Sequence, residues 1–195
     1  QSAQKQVKHL LLKNGNLAKM LLCDIGNTTA NFLDDNSHFS IPVVELNPNR
    51  YDEKVYFICV NQALLPLFKT TPNWIDISTF IDKSSYYETM GVDRVVACEA
   101  IEHGVIVDAG SAITVDVVRD SVFEGGFIYP GVKAMQRCYA DISPALDYSF
   151  NFELVLDKMP KTSQDALSYG FLKLLHSEVV SHGLPIFLTG GDAEL

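Results

Sequence analysis

Two segments of the chain set a carboxylate, a glycine and small polar side chains at the same spacing. Leu21-Leu22-Cys23-Asp24-Ile25-Gly26-Asn27-Thr28 matches Val105-Ile106-Val107-Asp108-Ala109-Gly110-Ser111-Ala112 with an offset of 84 residues and no gap. In each copy an apolar run ends in Asp-x-Gly. Glycine carries no Cβ and tolerates positive φ, so such a turn places a carboxylate beside a backbone that a ligand can approach. Asn27, Thr28 and Ser111 add donors on short stems. Amides and hydroxyls of this kind hold phosphate oxygens, and carboxylates hold the water shell of a magnesium ion. Taken singly, Asp24 or Asp108 is an ordinary turn former that caps its own backbone. Taken as a pair, the two turns favour a polyphosphate held from both sides.

A second constellation is Met90-Gly91-Val92-Asp93-Arg94, at the start of an expected helix. An Asp there is favoured by the helix dipole, with Arg94 as its ion pair. The same residues also offer a carboxylate that accepts a proton from a substrate hydroxyl, beside a guanidinium that grips an anion. A third is Gly125-Gly126-Phe127-Ile128-Tyr129-Pro130-Gly131, where three glycines around one strand point to close backbone approach by a ligand or a neighbouring strand. The chain has no Gly-x4-Gly-Lys-Ser/Thr loop, which excludes a P-loop NTPase. It also lacks Gly-x-Ser-x-Gly and Gly-x-Gly-x-x-Gly, so hydrolase-elbow and dinucleotide-binding readings lose their support.

The elements that must position these residues follow from apolar runs and turn signals. Strands are expected over 21–24, 29–33, 54–60, 74–77, 105–107, 112–118, 121–129 and 186–189, with Asp34-Asp35-Asn36 closing the first hairpin. Helical spacing marks 92–102, 132–139 and 162–181, and a short helix interrupted by Pro66 is expected over 63–69. Thr162 with Asp165 makes a capping-box-like start to the longest of these, and Gly183 and Pro185 mark its end. Strands and helices alternate, which means α/β, and the repeated strand–turn–strand unit implies two similar halves.

Composition sets outer limits. The chain has 195 residues, 47% hydrophobic and 20% charged, which is too apolar for disorder. A net charge of −9 without a Lys/Arg cluster argues against nucleic acid and anionic membranes as partners. No apolar stretch approaches the roughly 18–20 residues of a membrane span. Cys23, Cys59, Cys98 and Cys138 lie far apart among apolar neighbours and are read as buried thiols in a reducing cytosol. The histidines lack ligand spacing, so a zinc site is not expected. Residues 1–19 are read as a vector-derived or upstream extension, and a segment is expected to be missing beyond Leu195.

Asp24-Ile25-Gly26-Asn27-Thr28, Gly91–Arg94, Asp108 through Asp116, Gly125-Gly126-x-Ile128-x-Pro130-Gly131 and Leu188-Thr189-Gly190-Gly191-Asp192 occur in the order seen in type III pantothenate kinases. The chain resembles that family over about residues 20–195. The resemblance implies the actin/hexokinase-like (ASKHA) fold, with RNase H-like halves over 20–104 and 105–195 and ATP in the cleft. It also implies a cytoplasmic homodimer that phosphorylates pantothenate with ATP to 4'-phosphopantothenate, the first step of coenzyme A biosynthesis. By the same resemblance Asp24, Ile25, Gly26, Asn27, Thr28, Thr29, Ala30, Asn31 and Ser111 bind ATP, which arrives with Mg²⁺. Asp93 is the general base. Tyr86, Gly91, Val92, Asp93, Arg94 and Ser163 line the pantothenate pocket, with Arg94 reaching the carboxylate. Asp108 holds a monovalent cation, K⁺ or NH4⁺.

The sequence departs from the family at Ser111, where Thr is usual, at Ile58-Cys59-Val60, where Ser-Ser-Val is common, and at the C-terminus, where relatives continue into a helix over the adenosine. Two other readings of the same fold are a non-catalytic transcriptional accessory protein and a phosphohydrolase. Intact Asp24, Asp93 and Asp108 weigh against the first, and Gly91–Arg94, as a grip on a small carboxylic acid, against the second.

Overall fold

Apolar, β-branched and aromatic runs become the strands of two separate sheets in the computed structural model, which describes residues 21–34 and 37–194. The expectations for residues 1–19, Asp35 and Asn36 fall outside the described residues. The chain divides between Glu102 and His103 into two compact units.

The first unit carries a five-stranded sheet. Its strands are β1 (Leu21–Ile25), β2 (Thr29–Leu33), β3 (His38–Pro42), β4 (Val55–Cys59) and β5 (Trp74–Asp76). Their order is β3-β2-β1-β4-β5: β1 to β3 form an antiparallel meander, and β4 and β5 run parallel to β1. Alternation along the strands sends Cys23, Ile25, Ala30, Phe32 and Phe57 to one face, where they bury against Phe68 and Trp74. The Trp74 indole N–H donates to the Pro48 carbonyl at 3.1 Å, which satisfies its one polar atom. The other face, with Leu22 and Ile58, is covered by Val92 and Val96 of a helix, here α2 (Val92–Glu99). The expected helix over 63–69 is a 3₁₀ turn, Gln62–Leu64, running into the single turn α1 (Leu65–Phe68). Pro66 sits at the start of α1, where its missing N–H costs nothing.

The second unit repeats the plan with four strands. β6 (Gly104–Ala109), β7 (Ala112–Arg119) and β8 (Val122–Pro130) are antiparallel, and β9 (Ile186–Thr189) runs parallel to β6, in the order β8-β7-β6-β9. Val105, Val107, Ile113, Val115 and Val117 bury one face against Phe150, Phe171 and Val179. The covering helices are α3 (Val132–Ile142) and α4 (Ser163–Ser181). The Thr162 hydroxyl accepts the Asp165 N–H at 3.1 Å, so the expected cap forms. The Ser168 hydroxyl, fully buried, donates to the Gln164 carbonyl at 2.8 Å and accepts the Asn151 N–H at 2.9 Å. A bulge opposite Val117 and Val118 puts Gly125 at φ +141°, so this glycine serves the backbone, and a Cβ there would meet nothing within 4 Å.

One expectation about the thiols is corrected. Cys23, Cys59 and Cys98 are buried, but Cys138 is exposed. Val132, Met135 and Tyr139 carry the core face of α3, and Cys138 falls beside it. Burial, then the neighbouring Asp24 carboxylate, pushes the Cys23 thiol well above its ordinary range.

Candidate active site

In the first unit, the alternation that buries Cys23 and Ile25 turns Leu22 and Asp24 to the face covered by α2. Asp24 lies opposite Asn31 on β2 and Ile58 on β4, and Asn31 lies opposite Ser40 on β3. The Ser40 hydroxyl donates to Asn31 Oδ1 at 2.7 Å, which orients the Asn31 amide. Beyond Asp24 the chain turns tightly: the Gly26 N–H donates to the Thr29 carbonyl at 2.9 Å. A Cβ at Gly26 would stand 3.2 Å from that oxygen, so the close return of the chain favours glycine. Asn27 and Thr28 stand exposed at the tip, while Thr29 and Asn31 are half-buried on the Asp24 side. Ile25 and Ala30 are fully buried with their side chains in the aromatic core, which leaves their main chain for any ligand.

The same unit supplies the start of α2. Gly91 is the N-cap, and its carbonyl accepts the Val95 N–H at 3.1 Å. Asp93, in the first turn and half-buried, folds its carboxylate back so closely that a Cβ at Gly91 would collide with Asp93 Oδ1. Glycine is thus needed for the carboxylate position rather than for an unusual φ. Val92 is buried against the sheet, and Arg94 is only 6% exposed. Arg94 Nη1 donates to the Tyr87 hydroxyl at 2.6 Å, and the guanidinium carbon lies 5.8 Å from the Tyr87 ring centre. The Tyr86 hydroxyl points elsewhere and donates to Glu99 Oε1 at 2.8 Å. Sequence reasoning put the pocket aromatic at Tyr86, with the adjacent Tyr87 as the alternative; the hydrogen bonds distinguish the two.

In the second unit, β6 turns Val105 and Val107 to the core and Ile106 and Asp108 to the opposite face. Asp108 is flanked across the sheet by Thr114 on β7 and Thr189 on β9, two hydroxyls to which the sequence reading assigned no role. Gly190 follows at φ +95°, and a Cβ there would collide with Asp108 Oδ1 and the Ala109 carbonyl. The Asp192 N–H donates to that same carbonyl at 2.9 Å. The Gly110 N–H donates to the Ala112 carbonyl at 3.0 Å, leaving Ser111 exposed at the tip. A Cβ at Gly131 would collide with the Gly110 and Ser111 carbonyls, so α3 begins directly against this turn. Its N-terminal dipole adds positive potential there. Between Gly125 and Gly131, it is Gly131 that allows close approach. Asp116, 1% exposed, shares the Asp108 face of β7. Ser163 is exposed in the first turn of α4, beside the capping Thr162.

Residues 55–181 match the family model described as type III pantothenate kinase. A protein of that name from Sulfurimonas denitrificans is 59% identical over 174 residues, covering 89% of this chain and 85% of the relative. Another, from Campylobacter jejuni, is 40% identical over 177 residues, with 90% and 85% covered. Among solved structures, a protein from Campylobacter jejuni described as a conserved Baf family transcriptional activator superposes with a TM-score of 0.81 at 38% identity, covering 89% of this chain and 84% of that one. With a family model over most of its length, and with relatives this similar along nine-tenths of it, the chain belongs to the type III pantothenate kinases, of actin/hexokinase-like fold.

Proposed function

We propose that this protein transfers the γ-phosphoryl group of ATP to the primary hydroxyl of pantothenate, giving 4'-phosphopantothenate for coenzyme A biosynthesis. The observation that carries the reading is the Asp93 carboxylate, held over Gly91 at the start of α2 in a chain 59% identical to a protein named for this reaction. Phosphoryl transfer asks mainly for positioning and charge stabilisation, so a weak base suffices. Asp93 orients the pantothenate hydroxyl and accepts its proton. Gly91, Val92 and Arg94, at the start of α2, line the acid's pocket, with Arg94 meeting its carboxylate.

The turn from Asp24 to Asn31 takes the ATP phosphates through exposed Asn27 and Thr28 and the main chain around them, and Ser111 contacts ATP. The magnesium that accompanies ATP supplies charge neutralisation, and Asp24 is the carboxylate on hand for its water shell. At Asp108 the chemistry is all oxygen: a carboxylate between two threonines, with Gly190 leaving the space beside Oδ1 open. That donor set suits a hard monovalent cation, K⁺ or NH4⁺. We read the protein as a cytoplasmic homodimer on the family resemblance; among the described residues no helix is long and apolar enough to cross a membrane.

The test is ADP release with ATP and Mg²⁺, with and without pantothenate, in potassium and in sodium. Release that requires pantothenate is expected, and release without it would mean hydrolysis. Asp93→Asn should keep its thermal melt and lose at least about a hundredfold in kcat. A variant that keeps its turnover would remove Asp93 from the role. A transcriptional role alone, as the description of the 38% identical structure would have it, predicts no ADP release at all.

A further inference from the structure

We propose that Ser40 sets the affinity for ATP as the positioning residue of Asn31, whose amide nitrogen donates to a phosphate oxygen. The inference rests on the reading that the turn from Asp24 to Asn31 takes the ATP phosphates.

Cross-strand register lines up a row of side chains. Ser40 on β3 lies opposite Asn31 on β2, and Asn31 lies opposite Asp24 on β1. Residues directly opposite in antiparallel strands share a face of the sheet, so this row lies on the Asp24 side. Ser40 is exposed on the edge strand, and Asn31 is half-buried between it and Asp24. An asparagine amide has an acceptor end and a donor end, and turning its last torsion exchanges them. An anion needs the donor end, because a carbonyl oxygen turned towards a phosphate oxygen would repel it. The Ser40 hydroxyl donates to Asn31 Oδ1 at 2.7 Å, which engages the oxygen on the β3 side. The nitrogen keeps its N–H donors, and among the described residues none accepts from it.

The edge strand is itself held to the turn. The Val43 N–H, just past the end of β3, donates to the Thr28 carbonyl at 2.9 Å. The strand that carries Ser40 is thus fastened to the tip that takes the phosphates. Ser40 sits one strand further out and acts on the ligand only through Asn31.

The experiment measures the Kd of ATP with Mg²⁺ by titration calorimetry, and kcat and KM by ADP release. It compares the wild type with Ser40→Ala, Ser40→Thr, Asn31→Ala and the double variant Ser40→Ala with Asn31→Ala. Thermal melts check that each keeps its fold; Ser40 is exposed, so its truncation opens no cavity. Ser40→Ala is expected to raise the Kd and KM for ATP about fivefold, the scale of one lost hydrogen bond. Its kcat and its KM for pantothenate should stay within about twofold, the signature of lost binding rather than lost chemistry. Ser40→Thr keeps the hydroxyl and should restore the wild-type values. In the Asn31→Ala background, Ser40→Ala should change ATP binding by less than about twofold, because nothing is left to position. A loss that persists undiminished in that background would mean a merely structural role and overturn the proposal. So would wild-type ATP affinity in Ser40→Ala. A wild type that binds no ATP would defeat the reading of the turn and this inference with it. One that binds ATP and releases no ADP with pantothenate would defeat the proposed function, and the Kd values would still decide for or against Ser40.

Discussion

The two Asp-x-Gly turns begin alike and return differently. After Asp24, the Gly26 N–H reaches three residues ahead to Thr29, and Ile25 lies opposite Ala30. After Asp108, the Gly110 N–H reaches two residues ahead to Ala112, and Ala109 lies opposite Ile113. The second turn is therefore one residue shorter, and the ungapped repeat stops being a structural correspondence just past the glycine. Across the sheet, Asn31 faces Asp24 where Thr114 faces Asp108, although the offset of the repeat would pair Asn31 with Val115. The crowding differs too. Gly26 is pressed by its own turn, whereas a Cβ at Gly110 would meet Ala112 at an ordinary 3.7 Å. The tight contacts at the second turn come instead from Gly131 and Gly190, distant in the chain. One turn is local and the other is assembled.

Substitutions can break that contrast. Asp24→Asn and Asp108→Asn should each cost about a hundredfold in kcat/KM, on the scale of losing a metal-orienting group. Only Asp108→Asn should also erase the difference between potassium and sodium; an equal loss of cation response in both would make the turns equivalent. Next comes Gly131→Ala, whose methyl would enter the Gly110 and Ser111 carbonyls. It should lower stability by about 2 kcal/mol in urea titration, the scale of an overpacked core. The local pair is subtler: Gly26→Ala should cost about 1 kcal/mol, and Gly110→Ala should fall within about 0.5 kcal/mol of wild type. The reverse order would refute the assignment of which glycine its own turn needs.

The smallest effect concerns acid. Hydrogen bonds from Asn151 and then Thr162 hold the Asp165 carboxyl below its ordinary value. A lowered folded-state pKa contributes stability that is present above the ordinary carboxylate range and is lost as pH falls through the lowered value. Asp165→Asn should therefore lose less stability than wild type between about pH 6 and pH 3 when urea midpoints are compared.

Much of the frame was legible in the residues. Ile186–Thr189 and Thr29–Leu33 have the bounds expected from apolar runs, and α4 begins where Thr162 and Asp165 said a cap would form. β3 was not legible: only Phe39 and Ile41 alternate in it, and it lies at an edge with most of its residues exposed. The motif residues were visible as types, but their working neighbours were not. Thr114 and Thr189 flank Asp108 only through cross-strand register, and Gly131 meets residue 110 only through the packing of α3. Neither leaves a trace in local spacing. The Tyr86 and Tyr87 pair shows the limit most plainly, since one position along the chain changes the partner from Glu99 to Arg94.

Trp74 is the single tryptophan of the chain, and it lies in the first unit against Phe57 and Phe68, ring centres 5.7 and 4.9 Å away. The long helix α4, by contrast, belongs to the second unit. Indole fluorescence therefore reports the first unit, and helical circular dichroism, carried mostly by α3 and α4, reports mainly the second. Melted together, the two signals would superimpose for one cooperative unfolding and separate for two, so the protein carries its own probe of whether its halves stand or fall as one.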